Sequence, residues 1–198
     1  MRKNRYSRAF FLEDTFAVAK RLLGSVLCSV EAGHLTAGKI VEVEAYLGGF
    51  DKAAHAYGYK RTHRTEIQYG VGGYAYITLI YGLHWQCNVV TAPANEPHAV
   101  LIRALEPVAG IEIMQQRRGN MSGVNLTNGP GKLCQALGIT GALYGADLCG
   151  NQLWIEPASA LSEEEIIATT RIGVDYAAEF ALKPWRFYVR RSRFVSKK

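Results

Sequence analysis

A series of short β-rich runs, joined by turn residues, constrains the fold more than any other feature of the sequence. Residues 25–30 and 35–45 are such runs, and Ala32, Gly33 and His34 between them are typical of a hairpin. Further strands are predicted at residues 74–81, 87–91, 99–105 and 185–189. Strands paired through short turns, with helices segregated between them, predict an α+β fold, which we expect to be a single compact domain around a mostly antiparallel, curved sheet with peripheral helices.

Helix signals occur between these runs. Four helices are predicted, at residues 14–23, 107–118, 132–137 and 162–172. Asp14 can cap the first helix, Pro107 is expected to open the second, and Gly138 follows the third. Ser162 and Glu165 have the spacing of a capping box, which predicts the start of the fourth.

The chain of 198 residues is long enough for one domain, and no linker divides it. We therefore expect one domain over residues 1–198, with a basic C-terminal tail at residues 190–198. The polar stretch 47–73 has no clean period and predicts a long loop, and such loops are often functional or disordered. No apolar run approaches the roughly 18 residues of a membrane span, and no signal peptide is visible, so we expect a cytoplasmic protein without a membrane partner.

The net charge of +6 favours an anionic partner, such as nucleic acid or an anionic membrane. Positive residues are concentrated at residues 60–64 and in the stretch 186–198, which contains no acidic residue. A solvated face and a frayed C-terminus would explain the same pattern, so charge alone does not choose a function.

The sequence lacks the motifs of several enzyme classes. It contains no P-loop, dinucleotide glycine motif, Gly-x-Ser-x-Gly or zinc-deaminase signature, and no metal-ligand cluster. Its four cysteines are far apart and form no Cys-x-x-Cys pair. Cys28 and Cys134 lie in apolar runs, so we expect them to be small buried residues.

One predicted strand carries candidate acid–base residues. The two-residue period of a strand places Glu42, Glu44 and Tyr46 on one face, together with Ile40. An acid at a strand end, followed by a long loop that contains His55, is a candidate general base. A solvated sheet edge that carries two glutamates is the alternative interpretation.

Two further segments could contribute to a site. Residues 74–81 contain several tyrosines, which could stack on nucleic-acid bases or wedge into a base step, but could equally form cross-strand core pairs. Arg103 lies inside the apolar run 100–105, where a buried charge requires a partner; Glu44 or Glu106 could supply it. From the residues alone we predict a basic α+β protein that binds nucleic acid, without a named reaction.

Residues 38–48, GKIVEVEAYLG, followed by Ala53, Ala54 and His55, closely resemble the alkyladenine (3-methyladenine) DNA glycosylase family. The resemblance continues from residue 81 to residue 88, through VLIRALEP at 100–107 and GPGKLCQALGI at 129–139, and to KPWRFYVR at 183–190. The segments keep the family's order and approximate spacing from residue 10 to residue 196, and together they are specific.

The resemblance implies a monofunctional DNA glycosylase of base-excision repair. Such an enzyme flips alkylated or deaminated purines out of double-stranded DNA and hydrolyses the N-glycosidic bond with a water activated by a glutamate. Candidate lesions are 3-methyladenine, 7-methylguanine, hypoxanthine and ethenoadenine. The resemblance implies a monomer without metal or cofactor, located in the cytoplasm or nucleoid. The alternative is a non-catalytic damaged-DNA binding protein of the same fold.

The resemblance also implies roles in the base pocket. Glu44 matches the general base, and Arg103 the arginine that helps to hold the attacking water and the carboxylate. Tyr46 is expected to stack on the extruded base, and His55 to donate a hydrogen bond to its edge. Asn88 is expected to crowd the 2-amino group of guanine and so to discriminate against the normal base.

Other matched residues are expected to contact the duplex. Tyr81 matches the wedge that fills the space left by the flipped nucleotide. The positions that match phosphate contacts are Lys60, Thr62, Arg64 and Ser192.

Thr78 departs from the family pattern. It occupies the position of the family's second aromatic wall, opposite Tyr46, and Tyr76, Trp85 and Tyr57 are candidates to replace that wall. If nothing fills the gap, we expect neutral lesions to lose more excision than cationic ones, because their glycosidic bonds are less labile and depend on good alignment.

Overall fold

An antiparallel sheet of eight strands organises the described part of the chain, residues 4–198, in the computed structural model. The strands are β1 (Val26–Glu31), β2 (His34–Leu47), β3 (Ala75–Ile80), β4 (His84–Thr91), β5 (His98–Ala109), β6 (Leu153–Glu156), β7 (Ile166–Thr169) and β8 (Arg186–Val189). Their order is β3-β4-β5-β2-β1-β6, and β8 pairs with both β2 and β7. The predicted α+β domain with a curved, antiparallel sheet is confirmed.

Strand β2 is the centre of the sheet. It pairs along its length with β5 on one edge, and with β1 and then β8 on the other. The β1–β2 turn consists of Ala32 and Gly33, both with positive φ. This backbone matches the right-handed twist of paired strands, so the predicted hairpin is confirmed.

A double irregularity interrupts the pairing of β2 with β5. Glu42 pairs with Ala104 and Val43 pairs with Ile102. Arg103, between these two residues of β5, is therefore left without a pairing residue on β2. Val41, the residue before Glu42, likewise has no pairing residue on β5. Such a β-bulge shifts the side chains on its two sides to opposite faces of the sheet. Ile40 therefore packs in the main core with Val43, and its predicted place beside Glu42 and Glu44 is wrong.

Within residues 4–198, three α-helices accompany the sheet: α1 (Thr15–Leu22), α2 (Ile111–Arg117) and α3 (Pro130–Leu137). Asp14 caps α1 as predicted, because its carboxylate accepts hydrogen bonds from the backbone N–H groups of Phe16 and Ala17. The apolar faces of α1 and α3 contribute Leu22 and Leu133 to the main core. Gly138 ends α3 in a left-handed conformation, as expected for a C-terminal glycine.

Two helix predictions are wrong. Pro107 does not open a helix but lies within β5, opposite Gly38 at a register irregularity where a missing N–H group is tolerated. The helix starts four residues later, after Gly110 with φ of 69°. The capping box of Ser162 and Glu165 does form, but it holds one 3-10 turn, Glu163–Glu165. The chain then enters β7, which hydrogen-bonds to β8, so tertiary pairing overrides the local helix signal. Strand β6 was not predicted.

The long loop between β2 and β3 is ordered by three 3-10 helices, Gly48–Phe50, Tyr57–Tyr59 and Glu66–Tyr69. The basic C-terminal tail is not frayed, because Phe194 and Val195 are buried against the domain. Within residues 4–198, no helix is long and apolar enough to cross a membrane.

Candidate active site

Glu44 is fully buried and its carboxylate is held by three donors. The Tyr46 hydroxyl donates to Oε2 at 2.8 Å, and Nη1 of Arg103 donates to the same oxygen at 3.2 Å. The backbone N–H of Ile172 donates to Oε1 at 2.8 Å. A carboxylate has about four acceptor directions. Within the described residues one direction of Oε1 has no partner, and it could accept a proton.

Glu42 is also fully buried, but its carboxylate is more completely occupied. Its Oε1 accepts from Nε of Arg103, from Nη1 of Arg186 and from the Ser196 hydroxyl. Its Oε2 accepts from the backbone N–H of Ser196 at 2.6 Å. The interpretation of a solvated edge with two glutamates is therefore wrong.

Arg103 bridges the two carboxylates because the register irregularity lets it reach both. Its partner Glu44 was predicted, whereas Glu42 was not. Glu106, the other predicted partner, lies on the exposed side and pairs with Lys39 at 3.8 Å.

Tyr46 has a charged support that the sequence did not reveal. The Arg171 guanidinium lies 4.7 Å from the centre of the Tyr46 ring and forms a fully buried ion pair with Asp51. Burial, followed by the Glu44 carboxylate, raises the pKa of Tyr46 well above its usual value. Tyr46 is therefore a neutral donor to Glu44 at any physiological pH.

A cleft of about 460 Å³ lies beside this network. All three donors to Glu44, namely Tyr46, Arg103 and Ile172, line it. Three other predicted site residues, His55, Arg64 and Tyr81, line it as well, together with the unpredicted Gln86 and Tyr176. A volume in this range, roughly 300–1,000 Å³, is typical of sites for small molecules.

A small cavity of about 50 Å³ adjoins the cleft, and Tyr46 and His55 line both. Asn88 lines the small cavity and donates from Nδ2 to the carbonyl of Tyr76 at 2.9 Å. A separate and larger groove of about 840 Å³ is lined by residues such as Trp85 and Arg117. It contains no member of the Glu44 network, so the smaller cleft is the better candidate site.

His55 is neutral and already hydrogen-bonded on both ring nitrogens. His55 is exposed to solvent where it lines the cleft, yet desolvation of its ring by the packed neighbours, followed by the Arg64 charge, lowers the pKa of His55 to about 4. Nη2 of Arg64 lies 3.2 Å from Nε2, and the Tyr76 hydroxyl lies 2.8 Å from Nδ1. Since a guanidinium can only donate, Nε2 accepts and Nδ1 carries the proton. The predicted donation from His55 to a base would require the other tautomer.

Thr78 is buried, and its Oγ1 accepts a hydrogen bond from Nε of Arg64 at 2.8 Å. None of the three aromatic candidates for the missing wall lines the 460 Å³ cleft beside the Glu44 network. Tyr76 is buried beside the small cavity, Trp85 lines the separate groove, and Tyr57 is about half exposed. Arg64, predicted as a phosphate contact, is the side chain that covers Thr78.

Tyr81 is 88% exposed at the turn between β3 and β4, so the alternative of a core tyrosine is wrong. Its φ of 53° is unusual for a bulky residue, and Gly82 follows with φ of 69°. The ring thus projects from the rim of the cleft.

The other predicted DNA-contacting residues lie on accessible segments. Lys60 is exposed, and Thr62 lies in a tight turn where its backbone N–H donates to the Thr65 hydroxyl. Ser192 is partly exposed, and its hydroxyl accepts from the backbone N–H of Phe194 at 3.1 Å.

The cysteines and the possible metal ligands were also considered within residues 4–198. Cys28 and Cys134 are buried, as predicted, and the four cysteines form no disulfide. No cluster of three or more His, Cys, Asp or Glu side chains in the described part of the chain could hold a metal ion.

The chain is similar to proteins of one family. The family model described as "Methylpurine-DNA glycosylase (MPG)" matches residues 9–193. A protein of Bacillus mycoides (strain KBAB4), named "Putative 3-methyladenine DNA glycosylase", is 50% identical over 199 residues, which cover 96% of this chain and 98% of the relative. A relative with the same name from Desulfitobacterium hafniense (strain Y51) is 46% identical over 202 residues, covering 98% and 99%.

Proposed function

Because the chain belongs to the methylpurine-DNA glycosylase family and is therefore a DNA glycosylase, we propose that it excises damaged purines by hydrolysis. The proposed substrates are alkylated or deaminated purines, of the class of 3-methyladenine, 7-methylguanine, hypoxanthine and ethenoadenine, in double-stranded DNA. The enzyme acts as a monomer and uses an activated water without a metal or cofactor.

The observation that carries this proposal is the Glu44 network beside the cleft. Tyr46, Arg103 and Ile172 orient the carboxylate, and all three line the space that would receive the base. One acceptor direction of Oε1 has no partner among the described residues, and this free direction supports the proposal that Glu44 binds a catalytic water. Since Glu44 itself is fully buried, that water must enter between its three neighbours.

The reaction requires few groups. Glu44 takes a proton from the water, and the oxygen of the water forms a bond to C1′ of the extruded nucleotide. The C1′–N bond breaks, its electron pair leaves with the purine, and an abasic site remains. Arg103 donates to Oε2 of Glu44, so its positive charge lies on the same carboxylate whose Oε1 would bind the attacking water.

Access to the base requires flipping, which costs a few kcal/mol and less at a damaged pair. The exposed Tyr81 ring at the cleft rim is suited to fill the gap in the duplex. Tyr46 offers a ring to the extruded base, and Arg171 fixes that ring from the protein side. These features support flipping rather than capture of a free base.

The test is a single-turnover assay for abasic sites on duplexes that carry each of the four lesions, with an undamaged duplex as control. We expect the wild type to cleave at least one lesion, and Glu44→Gln to lose excision while it keeps damaged-duplex binding within about fivefold, because Gln retains the shape but not the basicity. A wild type that binds lesions without forming abasic sites would support the alternative of a non-catalytic binding protein.

A further inference from the structure

Among the described residues that line the cleft, Arg64 is the cation whose charge no neighbouring carboxylate neutralises. Arg64 donates to the Thr78 hydroxyl and to Nε2 of His55, and both partners are uncharged. Among the ion pairs of the described residues, none includes Arg64. Its positive charge therefore acts on whatever enters the cleft.

The other cations near the cleft are compensated. Arg103 is bonded to both Glu42 and Glu44, and Arg171 forms its buried pair with Asp51. The carboxylates behind the cleft wall are thus already matched by arginines. Arg64 supplies the charge that remains, and it is held next to neutral His55.

The guanidinium of Arg64 occupies the space next to Thr78. Nε of Arg64 lies 2.8 Å from the Thr78 hydroxyl, which anchors it, so a larger side chain at position 78 would meet the guanidinium. A guanidinium is planar, stacks on ring systems, and carries its donors in a rigid fork. It can therefore serve as a wall and as a hydrogen-bond donor to a purine.

We propose that Arg64 determines specificity, and that it makes the cleft favour neutral purines with acceptors on their O6/N7 edge over cationic alkylated purines. This inference rests on the proposed function and names the substrate class of the same site. It assigns Arg64 to the base pocket rather than to the DNA backbone.

Two physical effects act in the same direction. A cationic base such as 7-methylguanine meets the Arg64 charge at short range, and although Arg64 is exposed and its charge is partly screened by solvent, the repulsion weakens binding. A neutral purine such as hypoxanthine leaves with negative charge developing on the ring, and a guanidinium that donates to O6 or N7 stabilises that charge. The expectation that neutral lesions suffer most assumed a gap beside Thr78, and Arg64 fills that gap.

The test measures single-turnover excision of hypoxanthine and of 7-methylguanine from otherwise identical duplexes. The quantity compared is the ratio of the two rates in each variant, divided by the ratio in the wild type, so that the different lability of the two bonds cancels. We expect Arg64→Gln to lower this ratio by about tenfold or more, which corresponds to ~1.4 kcal/mol. Thr78→Val, which removes the anchor but keeps the side-chain shape, should lower it in the same direction.

Lys60→Gln is the matched control, because it removes one positive charge from the same loop outside the cleft. It should change both rates by the same factor. If Arg64→Gln also changes both rates equally, Arg64 is a phosphate contact and the inference is overturned. If Arg64→Gln proves unstable by its melting temperature, Thr78→Val decides, and an unchanged ratio in that variant overturns the inference.

Failure of the proposed function would look different. In that case the wild type forms no abasic sites on either duplex, and no ratio exists. A wild type that excises both bases, but with a ratio that neither Arg64→Gln nor Thr78→Val alters, leaves the glycosylase function standing and removes only the role of Arg64.

Discussion

At the scale of single residues, Glu42 and Glu44 lie two positions apart on one strand but have different surroundings. Glu42 accepts four hydrogen bonds from Arg103, Arg186 and Ser196. Glu44 accepts three, and its neighbours open onto the cleft. The same residue type is thus structural at one position and suited to catalysis at the other.

Glu42→Gln tests this difference through stability. Breaking a buried charge pair costs roughly 3–5 kcal/mol, and because Gln keeps an acceptor oxygen we expect the lower end of that range. For a domain of this size the melting temperature should fall by about 6–12 °C. Activity per folded molecule should survive. If Glu42→Gln abolishes excision at unchanged stability while Glu44→Gln does not, the assignment of the base is wrong.

His55 gives a second prediction at this scale. The pKa of His55 is lowered from 6.5 to about 4 by desolvation of its ring and then by Arg64. The unfolded chain therefore binds a proton more readily than the folded chain, and the contribution of neutral His55 to stability is lost as pH falls from 6.5 towards 4. Arg64→Gln should raise this pKa, though not to 6.5, because the desolvation of the ring by its other neighbours remains. NMR titration of the imidazole measures both values, and an unchanged pKa in the variant would place Arg64 away from His55.

At the scale of elements, irregular backbone positions the site. The double irregularity between β2 and β5 places Arg103 between two carboxylates. The tight turn after β3 projects Tyr81 away from the core with a positive φ. Strain of this kind persists where surrounding structure holds it, and it is often associated with function.

Tyr81→Ser tests the turn as a wedge. Because the ring is 88% exposed, its loss should change stability by no more than about 0.5 kcal/mol. Excision from a fully paired duplex should slow, whereas excision of a lesion opposite a gap should change less, since there is no partner base to displace. Equal slowing on both substrates would argue against the wedge.

At the scale of the whole molecule, distant segments meet around β2. The C-terminal tail returns to bond Glu42 through Ser196, and the loop after β2 is fixed to the segment before β8 by Asp51 and Arg171. The site is therefore assembled from segments that are up to 154 residues apart in the sequence.

The net charge of +6 predicts binding to DNA that depends on salt. Each phosphate contact made by Lys or Arg contributes about −0.9 to the slope of log K against log salt. Lys60→Ala should flatten the slope by about that amount for damaged and undamaged duplexes alike. Lys20→Ala is the control. Lys20 lies on α1, pairs with Glu163 and does not line the cleft. If the slope flattens equally in both variants, the DNA does not bind preferentially to the surface around Lys60.

Local chemistry was readable from the sequence wherever neighbours in the chain decide the outcome. The Asp14 cap and the turn at Ala32 and Gly33 involve only nearby residues, and both were predicted. The resemblance placed Glu44 and Arg103 in one site, and the structure brings them within 3.2 Å.

Long-range packing decided the rest. The capping box at Ser162 forms, but the chain after it pairs as β7 with β8 instead of continuing as a helix. A β-bulge that no sequence pattern predicted places Ile40 in the core. The hydrogen bonds of Arg64 depend on how a loop folds over a strand 14 residues away, and those of Glu42 on a tail 154 residues away. Such contacts are settled by tertiary burial and charge pairing, which act between segments that are distant in sequence.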